Sequence, residues 1–181
     1  MKKILMIGML LNSALYVSAQ KYTTRTGRVS FFSTTPVENI EAFNNEASAA
    51  IDTKTGDVLF IIPIKSFKFE KALMQEHFND NYMESDKFPK AEFKGKLADI
   101  SKINFAKDGT YKTTVAGKIT IHGVTKDVTV PGTIQIKNGK AAVDTKFKVK
   151  LADYGIKVAS IAKGKIAEQV EVSVNSTLER K

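Results

Sequence analysis

Residues 71–95, KALMQEHFNDNYMESDKFPKAEFKG, decide the fold, because the hydrophobic period changes within them. Leu73, Met74, His77, Phe78 and Tyr82 recur at the spacing of one helix face, which predicts a helix over about Lys71 to Tyr82. From Asp86 the pattern switches. Phe88-Pro89 forces an extended backbone, and Ala91, Phe93, Gly95 and Leu97 then alternate with Glu92, Lys94 and Lys96. Alternation is also the rule on either side of this stretch, so one helix interrupts a chain of strands and reads as a lid or plug feeding a sheet.

Upstream, Tyr22 to Thr26 and Arg28 to Thr34 read as two short strands broken at Gly27, with Pro36 ending the second. Glu38 to Ala50 can be drawn as a helix rich in Glu and Ala, but a strand with an irregular start over Ile40 to Ile51 is favoured, because turn chemistry follows at Asp52-Thr53-Lys54-Thr55-Gly56. Val58 to Ile64 carries the strongest β signal, with Val58, Phe60, Ile62 and Ile64 on one face and Leu59, Ile61 and Pro63 on the other. Such a strand needs cover on both sides, or one face turned to something apolar that the sheet does not supply.

Downstream, a strand over Ala91 to Ile100 precedes a turn at Lys107-Asp108-Gly109. His122-Gly123 joins Thr110–Ile121 to Val124–Ile136, and Asn138-Gly139 joins that run to Ala141–Leu151. Two-residue links of this kind favour positive φ at both positions and mark tight hairpins. Ala152 to Lys165 is a loop, and Ile166 to Leu178 is the last strand. The short links impose antiparallel order. The expected fold class is all-β, an antiparallel barrel or sandwich of about eight strands with one helix inserted mid-chain.

Met1-Lys2-Lys3, the apolar run Ile4 to Leu11 and Val17-Ser18-Ala19 have the basic, apolar and small-residue parts of a cleavable signal peptide over residues 1–19. Residues 20–181 then form one domain, placed in the periplasm or secreted. The absence of cysteine excludes disulfides and thiolate metal sites. The formal charge of +9 includes Lys2 and Lys3, and the remaining lysines are spread along strands as the polar half of the alternation. Without a basic patch interleaved with aromatics, nucleic acid is not an expected partner. A lysine-rich exterior fits transient contact with an anionic membrane surface, screened within about 8 Å at physiological salt. The oligomeric state, a dimer included, is left open.

Catalytic chemistry has little to draw on. The two histidines lack metal-ligand spacing, since Asn81 stands four residues after His77 where a second histidine is needed. There is no G-x-S-x-G elbow. Asp80 and Glu84 fall four residues apart and read as a solvated face. The expectation is a protein that is not an enzyme and uses no cofactor or metal. What stands out is the number of large apolar residues for a small barrel: they either fill the core or wall a cavity for a chain-like apolar ligand.

Three stretches together resemble the YceI-like family of exported lipid-binding proteins. They are Ala72 to Phe93, with His77-Phe78, Tyr82-Met83-Glu84 and Phe88-Pro89-Lys90-Ala91-Glu92-Phe93; Gly117-Lys118-Ile119-Thr120-Ile121-His122-Gly123-Val124-Thr125-Lys126; and Asp153-Tyr154-Gly155-Ile156 with Gly164. Asp127 departs from the proline of many relatives, and the chain has no tryptophan. The resemblance implies a lipocalin-like barrel holding a long amphiphilic lipid of polyisoprenoid or fatty-acyl type, for carriage or storage in the cell envelope. Its cavity wall is expected at Phe60, Ile62, Ile64, Phe67, Leu73, Met74, Phe78, Tyr82, Phe88, Phe93, Ile119, Ile121 and Phe147. Head-group contacts are expected at His77, His122 and Lys126. The competing expectation is a structural or protein-interaction module of the envelope with a filled core.

Overall fold

The computed structural model describes residues 21–181, so the signal-peptide expectation, on residues 1–19, lies outside the described residues. Among the described residues there are nine strands: β1 (Lys21–Thr34), β2 (Asn39–Asp52), β3 (Asp57–Pro63), β4 (Lys68–Phe69), β5 (Lys90–Leu97), β6 (Gly109–Ile121), β7 (Val124–Lys137), β8 (Lys140–Lys150) and β9 (Gln169–Arg180). All pairings between them are antiparallel. Eight of them close in the order β1-β2-β3-β5-β6-β7-β8-β9 and back to β1, while β4 adds two residues to the start of β2. The fold is an all-β closed barrel, which leaves no full-length edge strand to pair with another molecule.

Three expectations need correction. Gly27 does not break the first strand. β1 runs through it with an extra residue on β1 before it and one on β2 after it, because a glycine there lets Ser176 and the Ala47 carbonyl approach where a Cβ would stand. β5 ends at Leu97 rather than Ile100, since Asp99 takes a left-handed φ of 52° and starts a 3₁₀ turn over Ile100–Lys102. β3 ends at Pro63, and Ile64–Ser66 forms another 3₁₀ turn. Both hairpin expectations hold, with φ of 50° and 75° at His122 and Gly123, and 50° and 73° at Asn138 and Gly139.

The helix occupies the expected position. α1 (Ala72–His77) continues into one wide π turn over Phe78–Tyr82, closed by the Met83 amide donating to the Phe78 carbonyl at 2.8 Å.

Inward side chains fall into two groups along the barrel axis. At one end Tyr22, Ile51, Val58, Leu97, Ile103, Ile134, Ile136 and Leu178 pack together, and the loop after β5 supplies Ile100, Ile103 and Phe105 as a stopper. Tyr22 donates its hydroxyl to the Phe105 carbonyl at 3.1 Å, tying the first strand to that stopper. At the other end Val29, Ile64, Phe67, Met83, Ile119, Val149, Val170 and Val174 surround the axis together with the helix.

Gly95 and Gly117 face each other across β5 and β6, and the Phe93 ring lies over the space they leave. A Cβ on Gly117 would run into the Lys94 carbonyl and the Gly95 Cα, which are backbone atoms and cannot swing away. Gly117→Ala is therefore expected to lower unfolding free energy by about 2 kcal/mol or more through overpacking. Gly139→Ala, which meets nothing within 4 Å, should cost only about 1 kcal/mol, from its positive φ. Urea unfolding of the two variants separates the cases.

Candidate functional site

The barrel interior is not filled. A cavity of about 710 Å³ runs from a floor at Ile51, Val58, Leu97 and Ile134 to the end carrying the helix, a volume typical of small-molecule sites, which span roughly 300–1,000 Å³. The filled-core expectation is thereby corrected. An eight-stranded barrel can either be filled by its side chains or hold one small ligand, and here the loop residues Ile100, Ile103 and Phe105 pack into one end while the space beyond them stays open.

The inward face of β3 supplies Val58, Phe60 and Ile62, with Ile64 just beyond, and its expected apolar companion is the cavity itself. Phe67, Phe93, Ile119, Ile121 and Phe147 also line it, as do Met74, Phe78 and Tyr82 from the helical segment. Phe78 anchors that segment. Its ring lies 5.4 Å from Phe31 in a stacked arrangement, and 5.5 and 5.0 Å from Phe67 and Phe69. Such aromatic pairs add about 0.5–1.5 kcal/mol each beyond burial.

Two expected wall residues lie elsewhere. The lumen-facing stripe is Met74, His77, Phe78, Asn81 and Tyr82. Leu73, one residue before that stripe, is rotated about 100° away from it and is 61% exposed. Phe88 packs outside the lumen, its ring 4.6 Å from that of His122 and against Gly123, with the Lys87 ammonium 4.9 Å from its centre.

The head-group expectations divide in the same way. His77 lines the cavity at its open end. His122 does not. Its Nδ1–H donates to the Tyr154 carbonyl at 3.1 Å and its Nε2 lies 2.9 Å from the Glu84 carboxylate, so it clasps three loops together. Lys126 is exposed, opposite Ile119 in the β6–β7 register, and does not line the cavity. The neighbouring Asp127 pairs with Lys118 at 2.8 Å across the strands, a use for the residue that departs from proline.

Sequence reasoning missed most of the wall opposite the helix. Val128 and Val130 of β7, Val143 and Val149 of β8, and Val170, Val172 and Val174 of β9 all line the cavity. The alternation marked them as a face, and the registers Phe147↔Val172 and Val149↔Val170 put that face inside.

β7 and β8 pair only over Gly132–Lys137 and Lys140–Thr145, so Val124–Pro131 and Lys146–Lys150 splay apart toward the open end. The segment after β8 closes the end of this wedge. Buried Tyr154 and Ile156 belong to it, and it is held by the His122 clasp and by the Leu151 amide donating to the Glu168 carbonyl at 2.9 Å. Burial and Asp153 together push the Tyr154 phenol above its ordinary pKa, as suits a ring set into an apolar wall. Further along the segment Lys157, Ala159, Ala162, Lys165 and Ile166 form part of the rim.

Fold and cavity define a class: a small antiparallel barrel enclosing a hydrocarbon-lined chamber with polar side chains at its helix end. The YceI-like domain model matches residues 13–178, and the chain belongs to that family. Among solved structures, a polyisoprenoid-binding domain from Saccharophagus degradans, implicated in plant cell wall breakdown, is similar at a TM-score of 0.79 and 16% identity, over 90% of this chain and 99% of that one. Burkholderia cenocepacia BcnA is similar at 0.68 and 19%, over 83% and 95% of the two chains. The Campylobacter jejuni YceI protein is similar at 0.62 and 19%, over 82% and 90%. No curated protein matches the chain.

His122→Asn keeps a residue that tolerates the φ of 50° but gives up the reach to Glu84. It is expected to cost about 1 kcal/mol, read as a melting point lower by about 2–4 °C. Hydrogen exchange should rise at residues 84–88 and 151–156 and stay unchanged at the stopper end.

Proposed function

We propose that this protein holds one long amphiphilic lipid, of polyisoprenoid or fatty-acyl type, with its tail in the barrel and its head at the open end. The supporting observation is the blind cavity, whose floor and walls are almost wholly hydrocarbon from Ile51 up to Phe78. A tail exposed to water loses roughly 25 cal/mol per Å² of apolar surface, and enclosure removes that penalty without directional bonds. A relative of the same fold is described as polyisoprenoid-binding, which favours this ligand class.

The signal-like residues 1–19 support export, which makes the role carriage or storage in the cell envelope. We read the site as one for binding rather than catalysis. Among the described residues no group of three or more His, Cys, Asp or Glu converges, and the histidines serve a rim and a loop clasp.

Two measurements test the reading. Mass spectrometry of organic extracts of the purified protein should find a long-chain lipid at near-stoichiometric amount. Ala91→Phe projects a ring into the lumen from β5, and should remove most of that lipid while leaving the melting point unchanged or raised, because the ring fills empty space. An extract free of lipid, or a lipid load unaffected by Ala91→Phe, would overturn it.

A further inference from the structure

The chamber is closed at one end, so an amphiphile enters tail first and leaves its head at the rim. Moving a polar or charged head down to Ile51, Val58, Leu97 and Ile134 would strip it of water with nothing to replace the lost hydrogen bonds. Head-group selectivity therefore belongs to the rim.

The rim's polar side chains differ in how far they are already committed. Ser33 is buried and its hydroxyl oxygen accepts the Ala167 amide at 2.9 Å. Glu38 has Lys71 at 3.4 Å, on the residue that starts the helix. Lys157 and Lys165 make no ion pair or side-chain hydrogen bond among the described residues. His77 and Asn81 stand on the helix across the opening and offer further donors. Asp144, the other carboxylate lining the cavity, sits in the paired part of β7 and β8 and accepts from the Asn175 side-chain amide, so with Glu38 partnered the uncommitted charge beside the helix is cationic.

Both lysines are placed by apolar neighbours in sequence. Lys157 follows buried Ile156, and Lys165 precedes the cavity-lining Ile166. Both are exposed while lining the cavity, so their ammonium groups can meet a head without being stripped of water. Many other lysines of the barrel are already paired on its outer face, as Lys118 is with Asp127, Lys140 with Glu179 and Lys146 with Glu171.

We infer that Lys157 and Lys165 make this opening selective for an anionic head group, a phosphate or a carboxylate, over a neutral alcohol on the same chain. The inference rests on the lipid reading above and adds the head-group class to it. It also replaces His122 and Lys126 as head-group residues with two from the segment between β8 and β9.

The test uses the delipidated full-length mature chain and four probes: geranylgeranyl phosphate, geranylgeraniol, palmitate and palmityl alcohol. Each anionic probe is expected to bind about tenfold tighter than its alcohol, about 1.4 kcal/mol, with the preference shrinking as salt screens the lysines. Lys157→Gln with Lys165→Gln should abolish the preference, whereas Lys163→Gln, off the rim, should leave it unaltered. Preference for only one anionic probe names the source of the head group and supports the inference. Equal binding of anion and alcohol, or a preference surviving the double substitution, overturns it while the cavity reading stands. Failure of all four probes overturns the lipid reading, and this inference with it.

Discussion

Closure of the sheet through the β1–β2 pairing is the constraint on which the rest of the structure depends. Eleven paired positions join those strands, from Lys21↔Asp52 to Thr34↔Asn39. Once they are joined, every inward side chain points at one axis, which other elements can cover only from the two ends. Interior width is then set by strand number, and at eight strands the side chains either fill it or leave room for one small ligand. The loop carrying Ile100, Ile103 and Phe105 helps to fill it at one end only. The chamber is the remainder, a product of closure combined with a single stopper.

The open end is shaped by departures from regular pairing. β7 and β8 part company beyond Gly132 and Thr145, and the segment with Tyr154 and Ile156 fills the wedge. The helix is held by a cluster of phenylalanines rather than by caps: Lys71 gives no side-chain cap, while Phe78 touches Phe31, Phe67 and Phe69. The rim thus combines a seated helix with two lysines from the opposite segment.

How far the site was legible depended on how local its determinants were. Phe60, Ile62, Phe93, Ile119 and Phe147 were found because a period of two puts them on one face of a strand, and closure puts that face inside. Leu73 and Phe88 were misplaced for the opposite reason: a helix stripe is wide enough to admit a residue at its border, and a residue before proline is extended without being in the sheet. Val170, Val172 and Val174 alternated plainly, but their partners on β8 lie across a long connection. The register that faces them inward is a long-range pairing.

By itself the chain determined the elements that depend on neighbours a few residues apart. These are the strands by alternation, the two tight hairpins by residues tolerant of positive φ, and the helix by its three-and-four spacing. Only the tertiary structure decided that the interior stays hollow, that His122 clasps loops instead of facing the lumen, and that Lys157 and Lys165 stand at the opening. Those outcomes depend on which distant segments meet when the ring of strands shuts, and the free energy of such meetings is not written in any short window of residues.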